Sequence, residues 1–278
     1  MNLLRVLACV ALVLAVPAPA ADPYPSKPIR LIVGFPPGGA VDVIARTLGQ
    51  QVSADLKQAV VVENKPGAGT NIAVRSLIDS APDGYTLMLT ANSLAANMAL
   101  YKPQPFDAER DAVPVALVGR VPVVIAANAG APFTTLASLV QAAKAKPGTI
   151  NYASPGNGST PHLAMELFAR AAGIQLTHVP YKGGAPAITD VLGGQLPLVA
   201  VNALEVVPHV KAGKLRVLAS MSAKRPSFLP DTPTIAESGY PGFEASVWYG
   251  VIAPKGTPAD VVAKLTAAVQ KALASSEV

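Results

Sequence analysis

"VGFPPGGAVDVIAR", residues 33 to 46, decides the architecture. It reads as the end of a strand (Leu31, Ile32, Val33), a turn of two prolines and two glycines, then a helix. The apolar residues Val41, Ile44, Ala45 and Leu48 recur at the spacing of one buried helical face. Strand, tight turn and helix make the repeating unit of an α/β fold, and the pattern continues outward. Strands are predicted over 29–33, 60–63, 86–90, 121–126, 150–153, 196–201 and 215–220. Helices are predicted over 42–56, 71–80, 136–145, 161–172 and 186–192. Such alternation predicts mainly parallel sheets flanked by helices.

Two proline-rich breaks interrupt it, "PQPFDAERDAVP" at 103–114 and "KRPSFLPDTPTIAESGYPG" at 224–242. They bracket a self-contained run of βα units, so a two-lobed molecule is expected with the second lobe inserted in the first. The expected division is 22–124 with 226–278 for lobe 1 and 125–225 for lobe 2, the chain crossing near 121–127 and 216–225. Ligands in open α/β sheets bind beyond the carboxyl ends of strands and between domains. The glycine-rich turns lie at such strand ends.

The first twenty residues predict the compartment. Arg5 gives a positive start, residues 7–16 are apolar, and "APAAD" offers a small-residue cleavage site at Ala18 and Ala20. This is the pattern of a secretory signal peptide over 1–21, which places the mature chain in the periplasm. The single cysteine, Cys9, leaves with it, so no disulfide or thiol chemistry is expected. No later run reaches the roughly 18 apolar residues that a membrane span needs. Losing Arg5 takes Lys+Arg from 22 to 21 against 17 acids, a net charge of 21 − 17 = +4. With no dense basic cluster, nucleic acid is not an expected partner, whereas a small anion suits the mild positive balance.

The opening turn has no Ser, Thr, Asp or Asn at its helix start, so no side chain there caps the first N–H groups. Such a terminus attracts an anion; the alternative is a plain connection with water on the amides. Asp42 is expected to pair with Arg46, four residues on. A second turn, "YASPGNGSTPHLAMELF" at 152–168, repeats the design, with Pro161 suited to a first helical position and Thr160 to the N-cap. Ser159 and the Gly158 amide would then remain open to an anion. A third turn, "VPYKGGAPAITDVLGG" at 179–194, has Lys182 before its glycines and no G-K-[ST], so it is not a P-loop. "GAGTNIA" at 67–73 matches a dinucleotide fingerprint in letters only. Asn64, Lys65 and Pro66 separate it from its strand, and no acidic residue ends the next one. His162, His178 and His209 lack metal-ligand spacing, and no G-x-S-x-G elbow occurs. No cofactor and no metal are expected. A hydrolase using Ser159 and His162 remains a rival reading, and Tyr181 and Trp248 can be read as core or as pocket wall.

Seven segments together resemble one family: "YPSKPIRLIVGFPPGGAVDVIAR", "VVVENKPGAGTNIA", "DGYTLMLTANS", "NYASPGNGSTPHLAMELF", "VPYKGGAPAITDVLGG", "AGKLRVLASMSAKR" and "LPDTPTIAESGYPGFEASVWYGVIAPKGTP". In that order, from about residue 24 to the end, they look like the solute-binding receptors of tripartite tricarboxylate transporters, the Bug family. The resemblance implies a type II-like, two-lobed periplasmic binding protein that closes like a Venus flytrap on a small di- or tricarboxylate or similar anion. It implies a monomer that delivers its ligand to membrane permease subunits, or else a subunit serving a sensor kinase, and no enzymatic activity. It assigns ligand contacts to Phe35, Pro36, Pro37, Gly38 and Gly39 and to Gly156, Asn157, Gly158, Ser159 and Thr160. Thr90, Ser93, Tyr181, Lys182, Gly183, Asn202 and Trp248 would line the rest of the cleft. Three departures stand out. Thr70 takes the place of a frequent glycine, "VAVNAL" has small residues before Asn202, and family chains usually continue for roughly forty residues past "KALASSEV", so lobe 1 is expected to be incomplete at its C-terminal side.

Overall fold

The computed structural model describes residues 23–276; the signal peptide expected at 1–21 lies outside them. The elements are β1 (Ile29–Val33), α1 (Ala40–Leu56), β2 (Val60–Asn64), α2 (Asn71–Ile78), β3 (Thr86–Ala91), α3 (Ser93–Leu100), α4 (Ala108–Asp111) and β4 (Ala112–Asn128). They continue with α5 (Leu136–Ala145), β5 (Asn151–Ser154), α6 (Thr160–Ala172), β6 (Thr177–Pro180), α7 (Gly184–Leu192), β7 (Leu198–Asn202), α8 (Ala203–Lys211), β8 (Leu215–Ser220), β9 (Ser246–Pro254) and α9 (Ala259–Leu273).

The strands run in the order β2-β1-β3-β9-β4-β7-β5-β6, with β8 also on β4. β4 is the pivot. Its residues up to Pro122 pair with β9, whereas Val123 onward pairs with β7 and Val124 onward with β8. One long strand is therefore shared by two sheets, the framework of a two-lobed α/β molecule. The expected parallel pairing holds on the outer side of each sheet, between β1 and both β2 and β3, and between β5 and both β6 and β7. The central pairings, β3 with β9 and β4 with β7, β8 and β9, are antiparallel. The reason is chain direction. β4 runs out of the first sheet where β9 returns to it, at Pro122 opposite Ser246.

Local sequence explains the elements that matter for the cleft. α1 buries Val41, Ala45, Leu48 and Val52 on one face and leaves its N-terminus at Gly39, which has no side-chain cap. α6 is better capped, but by Ser159 rather than Thr160. The Ser159 hydroxyl accepts from His162 N, Pro161 follows in the first turn, and Gly173 ends the helix in the left-handed region. Beneath α6 and α7, residues Val123 to Ala127 of β4 are wholly buried, as are Tyr152, Met165 and Phe168. A fully buried side chain of Phe168's size contributes about 1.5–3 kcal/mol, so this core keeps the helix starts in place.

Candidate functional site

Five helices begin at one cleft. The starts of α1 (Gly39, Ala40), α3 (Ser93), α6 (Ser159, Thr160), α7 (Gly183, Gly184) and α8 (Asn202 as its cap) all line it, with Phe35, Pro36, Pro37, Val247 and Tyr249 among the remaining walls. Each helix start contributes partial positive charge from its unsatisfied N–H groups, so the cleft is built to attract an anion. The atom-free space between the walls is about 530 Å³, counting the part open to solvent. No Lys or Arg lines it; its ionisable groups are Glu205 and Tyr249. The amides of Gly39, Thr160 and Gly184 have no hydrogen-bond partner among the described residues.

Other amides that the sequence leaves open are used internally. Gly38 N donates to Asp42 Oδ2 at 3.0 Å, and Asp42 also accepts from Arg46 and Asn64. Burial alone would raise the Asp42 carboxyl, but these hydrogen bonds outweigh it and hold the group below the usual carboxylate range. Gly158 N donates to His162 Nδ1 at 3.2 Å, and the Ser159 hydroxyl donates to Gly156 O at 2.7 Å. The His162 imidazole therefore faces the Gly158 amide and does not hold the Ser159 hydroxyl, which is not the arrangement of a nucleophile and its base.

Ala40 N donates to Glu205 Oε1 at 3.0 Å, across 165 residues of sequence. Glu205 Oε2 accepts from Asn202 N at 3.3 Å and from Asn202 Nδ2 at 3.4 Å. Both contacts of a capping box are in place on α8, Asn202 side chain to the Glu205 backbone and Glu205 to the cap backbone, although the first falls short of full hydrogen-bond geometry at the Asn202 amide oxygen. Glu205 as a residue is half-buried, and its carboxyl end is the enclosed part: a Cβ on Gly184 would lie 2.3 Å from Oε1. Burial pushes the Glu205 carboxyl above its ordinary range, although the Ala40 and Asn202 donors pull the other way. Tyr249, 1% exposed, has an unpartnered hydroxyl, and burial beside Glu205 raises it well above the ordinary phenol value.

Of the residues expected at a site, Phe35, Pro36, Pro37, Gly39, Ser93, Ser159, Thr160, Gly183 and Asn202 come together on this cleft. Gly156, Asn157, Tyr181 and Lys182 line an adjoining cavity that shares Phe35, Pro36, Ser93 and Ser159 with it. Tyr181 donates to Asp190, and burial together with that bond pushes its phenol up to about 12. Gly38, Thr90, Gly158 and Trp248 line neither space. Trp248 stands between Val247 and Tyr249 on β9, and side chains alternate along a strand, so when its neighbours face the cleft it faces away. Glu205 and Tyr249 were not among the expected residues. The N-x-x-E spacing from Asn202 to Glu205 is the signal that a capping reading of the sequence offers.

The family model described as "Tripartite tricarboxylate transporter family receptor" matches residues 44–278. Protein BugT of Bordetella pertussis is 41% identical over 284 residues, which cover 100% of this chain and 87% of BugT. The solved structure of the periplasmic binding protein BugD superimposes with a TM-score of 0.86 at 37% identity, covering 91% of this chain and 85% of BugD. MatC from Rhodopseudomonas palustris with bound malate gives a TM-score of 0.86 at 32% identity, covering 91% and 87%.

Proposed function

The chain belongs to the tripartite tricarboxylate transporter receptor family, and from that premise we propose that it captures a small organic carboxylate, a di- or tricarboxylate or similar, between its two lobes. In this reading it works as a monomer in the periplasm and hands the ligand to membrane permease subunits of a tripartite transporter, without catalysing a reaction. For the lobes we propose the division expected from the sequence, 22–124 with 226–278 and 125–225. The observation that carries the proposal is the convergence of five helix starts on one cleft, with the Gly39, Thr160 and Gly184 amides unpartnered among the described residues. Charge-assisted hydrogen bonds contribute about 1.5–3 kcal/mol each. Three of them give roughly 4.5–9 kcal/mol gross, part of which offsets the loss of freedom on association. That is enough for micromolar capture, about −8.2 kcal/mol, only when contacts to the rest of the ligand help. The bound malate of MatC supports a carboxylate as the class of ligand.

Titration calorimetry with small mono-, di- and tricarboxylates tests this. At least one is expected to bind with no product formed, and Gly39→Asp, which sets a negative charge at the α1 start, is expected to abolish that binding. Unchanged affinity in the variant would remove the α1 start from the site. Turnover of an ester or amide by wild type that vanished in Ser159→Ala would replace the receptor by a hydrolase.

A further inference from the structure

We propose that His162 is a positioning residue whose neutral imidazole holds the α6 start in the shape that takes ligand, so that binding weakens as this one group takes up a proton. The inference adds regulation to the capture reading and rests on that reading for the effect on ligand alone. Its ground is the wiring of the turn 156–160 that opens α6. Gly158 N donates to His162 Nδ1 at 3.2 Å, so this nitrogen carries no proton and the ring is neutral. Gly156 N donates to Ser154 Oγ at 3.1 Å, and that oxygen lies 2.6 Å from His178 Nε2. Both glycine amides of the turn are thus tied to imidazoles, one directly and one through a hydroxyl, while the Thr160 amide is left to the cleft.

The turn has little room to adjust. A Cβ on Gly158 would lie 2.9 Å from Leu100 Cδ1 on α3, and one on Gly156 would lie 2.8 Å from Tyr181 O. A proton on His162 Nδ1 would set two N–H groups against each other at 3.2 Å, and the Gly158 amide would have to turn away. Ser159 and Thr160 follow it directly, and both line the cleft. Tyr152 on β5 stacks on His178 of β6, which stacks in turn on His162. Glu166, four residues along α6 from His162, accepts from the Tyr152 hydroxyl at 2.6 Å. α3 faces the turn with Asn97 and Leu100, which do not titrate. Glu166 favours a charged imidazole, yet burial outweighs it and keeps His162 below its ordinary value. The proton therefore arrives only on the acid side of the ordinary histidine range.

Nuclear magnetic resonance of the isotope-labelled, ligand-free protein between about pH 7.5 and 4.5 tests the wiring. The Gly158 amide signal is expected to move with the same midpoint as the His162 ring. It is expected to stay fixed in His162→Asn, whose Oδ1 can accept from Gly158 N without titrating. A Gly158 amide that ignores the His162 ring, or that moves as far in the variant, would overturn the inference. Calorimetry with malate over the same range reads the consequence. Malate protonates alike in both experiments, so the ratio of the variant's affinity to the wild type's isolates the protein's own proton. That ratio is expected to grow by up to about tenfold for each pH unit below the His162 midpoint. A merely structural His162 would leave the ratio constant, which would overturn the inference too. Malate silent with both proteins would tell against the capture reading and not against the wiring, which the spectra decide. The wild-type spectra decide it alone if the variant does not fold.

Discussion

Lys57 ends α1 with φ 53° and ψ 31°, in the left-handed region, on the exposed surface. A side chain with a Cβ is strained there and glycine is not. Lys57→Gly is therefore expected to raise stability by about 0.5–1 kcal/mol, read as a higher urea midpoint with an unchanged slope. Gly183 is the opposite case. It sits at φ +129°, and a Cβ there would come within 3.1 Å of Pro36 Cδ, on the opening turn. Gly183→Ala is expected to lower stability by roughly 1–3 kcal/mol through backbone strain and to weaken ligand binding, because Pro36 must retreat. Calorimetry that found wild-type affinity would show that this close approach does not matter for capture. The turns that hold Pro36 and Gly183 were legible as proline- and glycine-rich turns at strand ends. What they approach was not, because Pro36 and Gly183 are brought together only by the fold.

At the scale of elements, β5, β6 and α6 share a small aromatic cluster. His178 stacks on Tyr152 and on His162, with centroids 5.0 and 4.1 Å apart, and its Nε2 lies 2.6 Å from Ser154 Oγ. Burial, and then the neighbouring His162, lowers His178 from 6.5 to about 4. The native state thus keeps this imidazole neutral where the unfolded chain takes up a proton. Stability is expected to be complete above pH 6.5 and to fall as pH drops from 6.5 toward 4, where the native group also charges. Urea midpoints across that range are expected to show a shallower decline in His178→Gln than in wild type. Equal slopes would place the titration elsewhere.

The elements themselves were readable where apolar residues keep a period. α1, α5 and α6 appear within two residues of their expected bounds because each buries one clear face. α3 hid in "SLAANMAL", which buries only Ser93 and Asn97, and α8 hid behind Pro208. α9 has a plain helical period in Val261, Leu265, Ala268, Val269 and Ala272, so its signal was present. The antiparallel centre was not legible, since a list of strands says nothing of which chain direction meets which.

On the scale of the whole molecule, the Ala40–Glu205 hydrogen bond ties the start of α1 to α8, elements that belong to the two different sheets. Cutting this tie in Glu205→Ala is expected to open the ligand-free molecule, seen as a larger radius of gyration in solution scattering that contracts again with ligand. An identical radius would mean that closure is held by other contacts. Much of the cleft was legible, because glycine and proline turns at strand ends announce themselves locally. Glu205 and Tyr249 were not, because a residue on a helix or a strand interior acquires a binding role only from what is folded against it.

β4 has a further consequence. Its 17 residues pass from one sheet to the other without a break, backed by β9 as far as Pro122 and by β7 from Val123. A loop hinge swivels freely, but a ribbon braced on both sides flexes like a leaf spring and has a rest angle of its own. In the capture cycle proposed above, opening and shutting would then have an amplitude set in part by the backbone. The strain left in the ribbon when it is bent away from that angle is a restoring force on whatever next takes hold of the two lobes.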